Sequence, residues 1–430
     1  MPPCNSKLMP HFDQRQAHIQ AIIAAALQTA DPHTAVRHHL HKQGNQITVG
    51  SHPFDLANGR LIILSIGKAA VPMALAAVDV VGEAAVSGGG ILAKHLPQNT
   101  PLPLPAYEGN HPVPGEKSIA ATQKLLQTVQ NLTENDLVLC LISGGASALF
   151  TQPLLPLPIW QELTQALLAS GCTIQELNTV RRQFDAVKAG GLARLAAPAQ
   201  VISLILSDVV GNDLASIGSG PTVASSETLA DAKAVLQRYG VSMPDFGHVR
   251  TTTQPPTNIL DNIIIGSIQQ SAQAAAAQAE KLGFHARLLT TKLEGEAREV
   301  GQFAAALAKD APPQSATLLG GETTVTLRGG GVGGRNLETA LAAAIGLAGW
   351  PNRAIIGFAT DGDDGTSGVA GATVTGQTVS DKQDALAYLN NNDSYTFFAR
   401  RDGGGNGRTL IQTGPTGTNV NDLIIILNYT

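Results

Sequence analysis

The sequence predicts an α/β protein of two domains built on a parallel sheet, and three observations carry that expectation. Leu61–Ile66, Leu137–Ile142 and residues 201–206 are continuous apolar runs of strand length. They lack the alternation of a half-solvated sheet, as expected of strands buried on both faces. Each run stops at a turn rich in glycine, serine or aspartate, where further structure begins. The chain has 430 residues, more than one ordinary core accommodates, and it is 43% hydrophobic but only 4% aromatic, which suits close packing of helices on a sheet.

A formal net charge of −5 gives no general attraction to nucleic acid or to an anionic membrane, so any anionic ligand has to be held locally. Cys4, Cys140 and Cys172 lack CxxC spacing and are too few for a disulfide framework, which points to a reducing compartment. Cys140, inside an apolar run, reads as a small core residue. Residues 1–16 mix prolines, charges and polar groups and contain no signal-peptide core. The longest aliphatic runs, such as 423–427, fall far short of the roughly 20 residues a membrane helix needs. These features predict a cytoplasmic protein with no nucleic-acid and no membrane partner, and they leave a homo-oligomer open.

Taken in order, Ile19, Ile22, Ile23, Ala26 and Leu27 recur at helical spacing within 13–29, with Asp13 available as a cap. His33, His38, His39 and His41 read as a solvated helical face rather than a metal site. The run Leu61–Ile66 ends at Gly67-Lys68-Ala69-Ala70. A lysine at a helix start is opposed by the macrodipole, so Lys68 calls for an anion, with a plain surface lysine as the alternative. The Walker A pattern fails here, because Ile62 stands at its first glycine position. After a proline-rich connection, Gly109-Asn110-His111-Pro112 is a rigid turn whose histidine either braces the turn or meets substrate.

Leu137–Ile142 ends in Ser143-Gly144-Gly145-Ala146-Ser147, where two glycines permit close backbone approach and two serines offer hydroxyls. The segment 176–182 reads as a helix carrying Arg181 and Arg182, on either a salt-bridged surface or a binding face. The run 201–206 ends at Ser207-Asp208, with Asp213 five residues on. Carboxylates at a strand's carboxyl end are where open α/β sheets take metal and ligand, and Asp208 is the preferred one. Prolines and threonines at 241–258 mark the linker, which puts the two domains at 1–250 and 251–430. Helices are expected at 271–282 and from 295 through 307, a strand at 355–359, and a closing strand at 423–427. The loop Thr360-Asp361-Gly362-Asp363-Asp364-Gly365 lacks the twelfth-position glutamate of an EF-hand and suits magnesium better than calcium.

The densest glycine stretch is Gly320-Gly321-Glu322, then a β-like alternation at 323–327, then Arg328-Gly329-Gly330-Gly331-Val332-Gly333-Gly334-Arg335-Asn336 before a helical pattern at 337–347. Backbone amides at such a turn are able to surround an anion, with Arg335 and Asn336 as further donors and Glu322 on the other side.

Taken together, Gly67-Lys68-Ala69-Ala70, His111-Pro112-Val113-Pro114-Gly115, Ser143-Gly144-Gly145-Ala146-Ser147, Asn178-Thr179-Val180-Arg181, Ser207-Asp208-Val209, Gly295-Glu296-Ala297-Arg298, Gly320-Gly321-Glu322-Thr323, Gly333-Gly334-Arg335-Asn336, Thr360-Asp361-Gly362 and Gly417-Thr418-Asn419 occur in an order that resembles the glycerate kinases of the MOFRL class over nearly the whole chain. The resemblance implies a Rossmann-like parallel-sheet N-terminal domain and a smaller α/β C-terminal (MOFRL) domain, with the active site between them. It also implies ATP- and Mg²⁺-dependent phosphorylation of D-glycerate, usually at the 2-hydroxyl, with Lys68 and Arg335 as the catalytic pair. The chain departs from the usual pattern at Asp185, at Lys188-Ala189-Gly190-Gly191 and at Thr366-Ser367-Gly368.

Phosphoryl transfer needs alignment, Mg²⁺ and cations facing the equatorial oxygens. The expected division of labour has Ser143, Gly144, Gly145 and Ser147, with Gly331 and Gly334, cradling ATP phosphates. Asp208 and Asp361 hold Mg²⁺, Arg181 and Glu322 meet substrate, and Lys68 and Arg335 share the moving phosphoryl group and the glycerate carboxylate. Two other classes stay open. Gly329, Gly331 and Gly334 match a GxGxxG fingerprint, which suggests an NAD(P)-dependent hydroxypyruvate reductase, although no acidic residue follows about 20 residues on. A non-catalytic sugar-phosphate sensor would keep the glycine turns without Lys68 or the aspartates.

Overall fold

The computed structural model describes residues 12–98, 100–243, 254–403 and 409–430. Cys4, residues 244–253 of the expected linker and the side chain of Asp13 lie outside what is described. The chain divides into a continuous unit, Pro32–Ile265, and a split unit that joins residues up to Asp31 to Gly266–Thr430. This differs from the expected cut after residue 250 at two places. The opening helix Phe12–Thr29 belongs with the C-terminal residues, because Ile19, Ile22, Ile23 and Ala26 pack on Ile268, Ala272, Ala275 and Ala279 of the helix Ile268–Lys281. Residues 254–265 stay with the continuous unit, because Val201 N–H donates to the carbonyl of Asn258 at 2.9 Å and the strand Ile259–Gly266 extends its sheet.

In the continuous unit six strands lie side by side in the order Ala106–Glu108, Val86–Ala93, Leu61–Ile66, Leu137–Ile142, Gln200–Leu206, Ile259–Gly266. Counted by first appearance in this sheet the order is 3-2-1-4-5-6, and every pairing among the first five strands is parallel. This is the Rossmann order, and ligands of such sheets lie beyond the carboxyl ends of the strands where the order reverses, here between Leu61–Ile66 and Leu137–Ile142. Both strands are buried along their whole length, which is why their sequences are unbroken apolar runs. Cys140 is fully buried in the second, and burial pushes its thiol up to about 12. Register then decides what emerges at the edge. Ile66 sits opposite both Leu92 and Ile142, and Ile142 opposite Ile205. Lys94, Lys68, Gly144 and Asp208 therefore leave four adjacent strands along one edge of the sheet.

The split unit is a mixed sheet ordered His285–Leu293, Ser315–Gly321, Asp422–Asn428, Arg353–Ala359, Gly371–Thr375, Leu410–Ile411, with only the first pair parallel. Helices cover both faces: Ala297–Asp310 and Arg335–Leu347 on one, Phe12–Thr29 and Ile268–Lys281 on the other. The first pair touch closely, since a Cβ on Gly301 would lie 2.3 Å from the carbonyl oxygen of Thr339. The last strand runs through the middle of the sheet, and its register pairs Asp422 with both Gly321 and Ala359. The expected strand at 323–327 is absent: the strand ends at Gly321, and only Thr324 makes an isolated bridge, to Glu296. Its backbone is bonded instead to the turn before Ala297–Asp310, through Thr324 N–H to Gly295 and Thr326 N–H to the Glu296 carboxylate.

The histidine group is not one helical face. His33 and His38 lie on Pro32–His39, His33 meets Asp79 at 3.3 Å, and His41 belongs to the strand Leu40–Gln43. Among the described residues no helix is long and apolar enough to cross a membrane.

Candidate functional site

At the switch point of the continuous unit, Ser143 is spent on joining two strand ends. Its amide donates to Ile66 O at 2.9 Å, its hydroxyl accepts from Ala69 N–H at 3.0 Å, and Lys68 N–H donates to Gly144 O at 2.8 Å. The hydroxyl expected to meet phosphate is therefore structural. Ser147 is likewise engaged, accepting from Ser219 Oγ at 3.1 Å. The amides of Gly144 and Gly145, in contrast, have no acceptor among the described residues. Gly145 is left-handed (φ +84°), and a Cβ there would come within 3.2 Å of the His111 ring and 3.4 Å of Lys68 Cγ. A Cβ on Gly144 would come within 2.1 Å of Asp208 Oδ2, so the carboxylate lies directly against this turn.

Around these amides stand three cations. Lys68 and Lys94 are exposed, whereas Arg181 on the helix Ile174–Gln183 is only 6% exposed. None of the three makes a side-chain hydrogen bond or ion pair among the described residues, and Arg181 Nε is buried without any partner. Burial lowers the Arg181 guanidinium to about 10, partly offset by Asp185, so it stays charged at neutral pH. His111 registers the same field. Burial first, then the charges of Lys68, Lys94 and Arg181, push it down to about 4, so the ring is neutral at pH 7. A buried, charged, unpaired guanidinium is costly, and an incoming anion removes the cost. The neighbouring Arg182 is buried too and its Nε is also without a partner, but its charge is met, since its Nη atoms are held by Glu227 Oε2 at 2.5 Å and by Ala215 O.

Beneath the site, Lys188 is fully buried and donates to the carbonyls of Ala146, Phe150 and Gly218 at 3.2, 2.5 and 3.1 Å. Burial pushes its amine down to about 8, against the raising effect of Asp185. Asp185 itself accepts from Thr151 Oγ1, Gln152 N–H and Val187 N–H. Ala189 and Gly190 bond the carbonyls of Ser219 and Gly220, so this departure from the usual pattern braces the Gly218-Ser219-Gly220 turn.

The split unit holds a different arrangement. Arg335 is clasped by two carboxylates: Nε to Asp422 Oδ2 at 2.5 Å, Nη2 to Asp422 Oδ1 at 3.1 Å and Nη1 to Glu322 Oε1 at 2.5 Å. Burial lowers the arginine's affinity for its proton, but Asp422 and Glu322 raise it further, so it is firmly charged. Glu322 also accepts from Asn421 Nδ2, so it is a partner of the arginine rather than a free ligand group. The glycine loop is equally committed. The amides of Arg328 and Gly329 donate to Asn392 Oδ1, that of Gly331 to Asn391 O, and that of Val332 to Asp393 Oδ1. At the start of Arg335–Leu347, Asp364 accepts from the amides of Asn336 and Leu337. The glycines exist because the segment 391–394 and Asp364 press on them: a Cβ on Gly331 would lie 2.3 Å from Asp393 Cβ, and one on Gly334 2.4 Å from Asp364. The predicted cradle at Gly331 is thereby filled from within. Gly330, Gly334 and Arg335 keep amides without acceptors among the described residues.

Magnesium asks for one or two carboxylates plus phosphate oxygens. Asp208, pressed against a turn with open amides, fits that demand. Asp361 belongs to the split unit and accepts from the amide of Asp363 in its own loop. No group of three His, Cys, Asp or Glu among the described residues is placed to hold a metal by itself. Sequence reasoning missed Lys94 and gave no individual role to Lys188, Asp364 or Asp422. Lys94 had a readable signal, since it follows Ile91-Leu92-Ala93 just as Lys68 follows its own strand.

A family model described as "Domain of unknown function (DUF4147)" matches residues 18–252, and one described as "MOFRL family" matches residues 315–422. The chain is 42% identical to a D-glycerate 2-kinase of Thermotoga maritima, over 85% of this chain and 90% of that protein. It is 38% identical to a protein of Agrobacterium vitis that carries the provisional name hydroxypyruvate reductase, over 95% and 93% of the two chains. The crystal structure of a glycerate kinase from Thermotoga maritima superposes with a TM-score of 0.84 at 36% identity, covering 97% of this chain and all of that one.

Proposed function

We propose that this chain, which belongs to the glycerate kinase family of the MOFRL class, transfers a phosphoryl group from ATP to the 2-hydroxyl of D-glycerate. The observation that carries the reading is Arg181: a buried cation that has no ion-pair partner among the described residues, beside two open amides and two lysines likewise unpaired among them, is a site waiting for a carboxylate and phosphate. Arg181 takes the glycerate carboxylate, whose planar geometry a guanidinium matches. Gly144 and Gly145 present their amides to ATP phosphate oxygens, and Lys68 faces the group in transfer. Asp208 would hold Mg²⁺, which screens the charge of the phosphates. Arg335 belongs to the catalytic machinery in the split unit, with Glu322 and Asp422 fixing its direction.

The test is direct. ADP is expected to appear with ATP, Mg²⁺ and D-glycerate, and coupling the product straight to enolase without a mutase reads out phosphorylation at the 2-hydroxyl. The provisional name of the Agrobacterium vitis relative favours a second reading, reduction of hydroxypyruvate by a nicotinamide cofactor. Against it, two of the three GxGxxG glycines, Gly329 and Gly331, carry amides already bonded to Asn392 and Asn391, where a pyrophosphate would need them. NADH consumption with hydroxypyruvate and no ADP release with glycerate would reverse the choice.

A further inference from the structure

Three cations face the switch-point site, yet D-glycerate brings a single negative charge. Lys68 and Lys94 each leave a parallel strand two residues past the paired positions Ile66 and Leu92, and Gly67 N–H donates to Leu92 O at 3.0 Å, so the two lysines emerge side by side. Like charges so placed repel unless an anion lies between them. No carboxylate of the described residues pairs with either lysine or with Arg181. Asp208 lies against Gly144, on the flank away from Lys94. A phosphorylated hydroxy acid matches this pattern better than the acid itself, since its phosphate carries close to two charges and its carboxylate one.

We propose that Lys94 is a further ligand-binding residue, which together with Lys68 brackets a phosphate while Arg181 takes the carboxylate. The continuous unit thus holds the phosphorylated product more tightly than D-glycerate. This rests on the kinase reading for the identity of the ligand, and it extends that reading to product retention. Lys94 sets how strongly the product competes with fresh substrate.

The experiment measures binding of 2-phosphoglycerate and of D-glycerate by titration calorimetry, without nucleotide, to the full chain and to its Lys94→Ala variant. Lys94 is exposed, so an unchanged melting temperature checks the fold. The wild type is expected to prefer 2-phosphoglycerate by about tenfold or more, and Lys94→Ala to weaken that ligand by about tenfold while D-glycerate changes less than about threefold, as loss of one charge-assisted contact to phosphate predicts. In turnover, the product-inhibition constant rises by a larger factor than KM for D-glycerate. Equal affinity for the two ligands, equal loss of both, no loss, or no detectable binding of either would overturn the proposal. If Lys94→Ala behaves as the wild type while ATP-dependent turnover of D-glycerate is intact, this inference fails and the kinase reading stands. If turnover is absent but Lys94-dependent binding of the phosphate ester persists, the kinase reading fails and the anion site stands.

Discussion

The two units each carry a glycine-rich turn between a strand and a helix, and the turns have opposite fates. Among the described residues, the amides at Gly144-Gly145 are open and the surrounding cations have no side-chain hydrogen bond or ion pair. Along 328–334 most amides are taken by Asn391, Asn392 and Asp393, and the adjacent Arg335 is clasped by Glu322 and Asp422. Glycine density therefore does not separate an anion cradle from a tightly braced loop. What separates them is whether the chain supplies its own acceptors.

The contrast breaks most clearly on its two cations. Lys68→Ala is expected to lower kcat/KM on the order of a thousandfold. The melting temperature stays put, since the exposed lysine has no side-chain partner among the described residues to orphan; turnover and calorimetry on one preparation check both. Near-normal turnover from a folded Lys68→Ala would remove that residue from the catalytic role. Arg335→Ala should differ by failing on both counts. It abandons two carboxylates, one of them 7% exposed, and about 3 kcal/mol of unfolding free energy is expected to go with it.

The braced loop gives the next effect. Asn392 accepts two loop amides and donates to the buried Glu338, which is in turn paired with Arg298. Asn392→Ala is expected to cost about 2 kcal/mol by denaturant unfolding, the scale of a lost buried polar partner. Amide exchange should accelerate at Arg328 and Gly329, whereas Gly144 and Gly145 are unchanged.

A smaller effect reads the open turn without turnover. His111 should titrate near pH 4, and phosphate or a phosphorylated acid should move the midpoint upward, because an anion offsets the positive charges that lower it. A midpoint unmoved at saturation would place the anion elsewhere.

The smallest effect is the acid response of each unit. Burial raises the Asp136 carboxyl, but the hydrogen bonds of Arg60 and Thr133 hold it well below the usual carboxylate range. That stabilisation is present above the unfolded pKa of about 4 and is lost as pH falls through the folded value. Asp364, raised by burial against the amides of Asn336 and Leu337, contributes with the opposite sign: its stability is present in acid and declines as pH rises through its folded pKa. Asp136→Asn should flatten the acid limb of thermal unfolding for the continuous unit alone.

Much of the fold is legible in the sequence, because strands buried on both faces leave unbroken apolar runs. Leu61–Ile66 and Leu137–Ile142 were readable for that reason, and with them Lys68 and Gly144 at their ends. Val86–Ala93 was not. Its Gly88-Gly89-Gly90 hides the strand, yet the glycines are needed, because a Cβ on Gly89 would overlap the carbonyl of Ile63 at 2.0 Å. Lys94 went unread with it. The alternation at 323–327 imitates a strand, but its hydrogen bonds go to the turn before Ala297–Asp310. Arg181 and Arg182 are adjacent and chemically identical, and no local signal says that Arg182 finds Glu227 whereas Arg181 finds no ion-pair partner among the described residues. Such facts depend on partners dozens of residues away, which a single sequence does not rank.

The order in which the split unit is assembled has a consequence for synthesis. Its first helix, Phe12–Thr29, is made before Pro32–Ile265, whereas the strand through the middle of its sheet, Asp422–Asn428, is made after the other five strands of that sheet. Pro32–Ile265, being continuous, is able to condense while the ribosome is still extending the remainder. Ser315–Gly321 and Arg353–Ala359 wait meanwhile with unsatisfied edges that only Asp422–Asn428 can join, and synthesis interrupted before Asp422 would leave a finished Rossmann-type unit tethered to an aggregation-prone remnant.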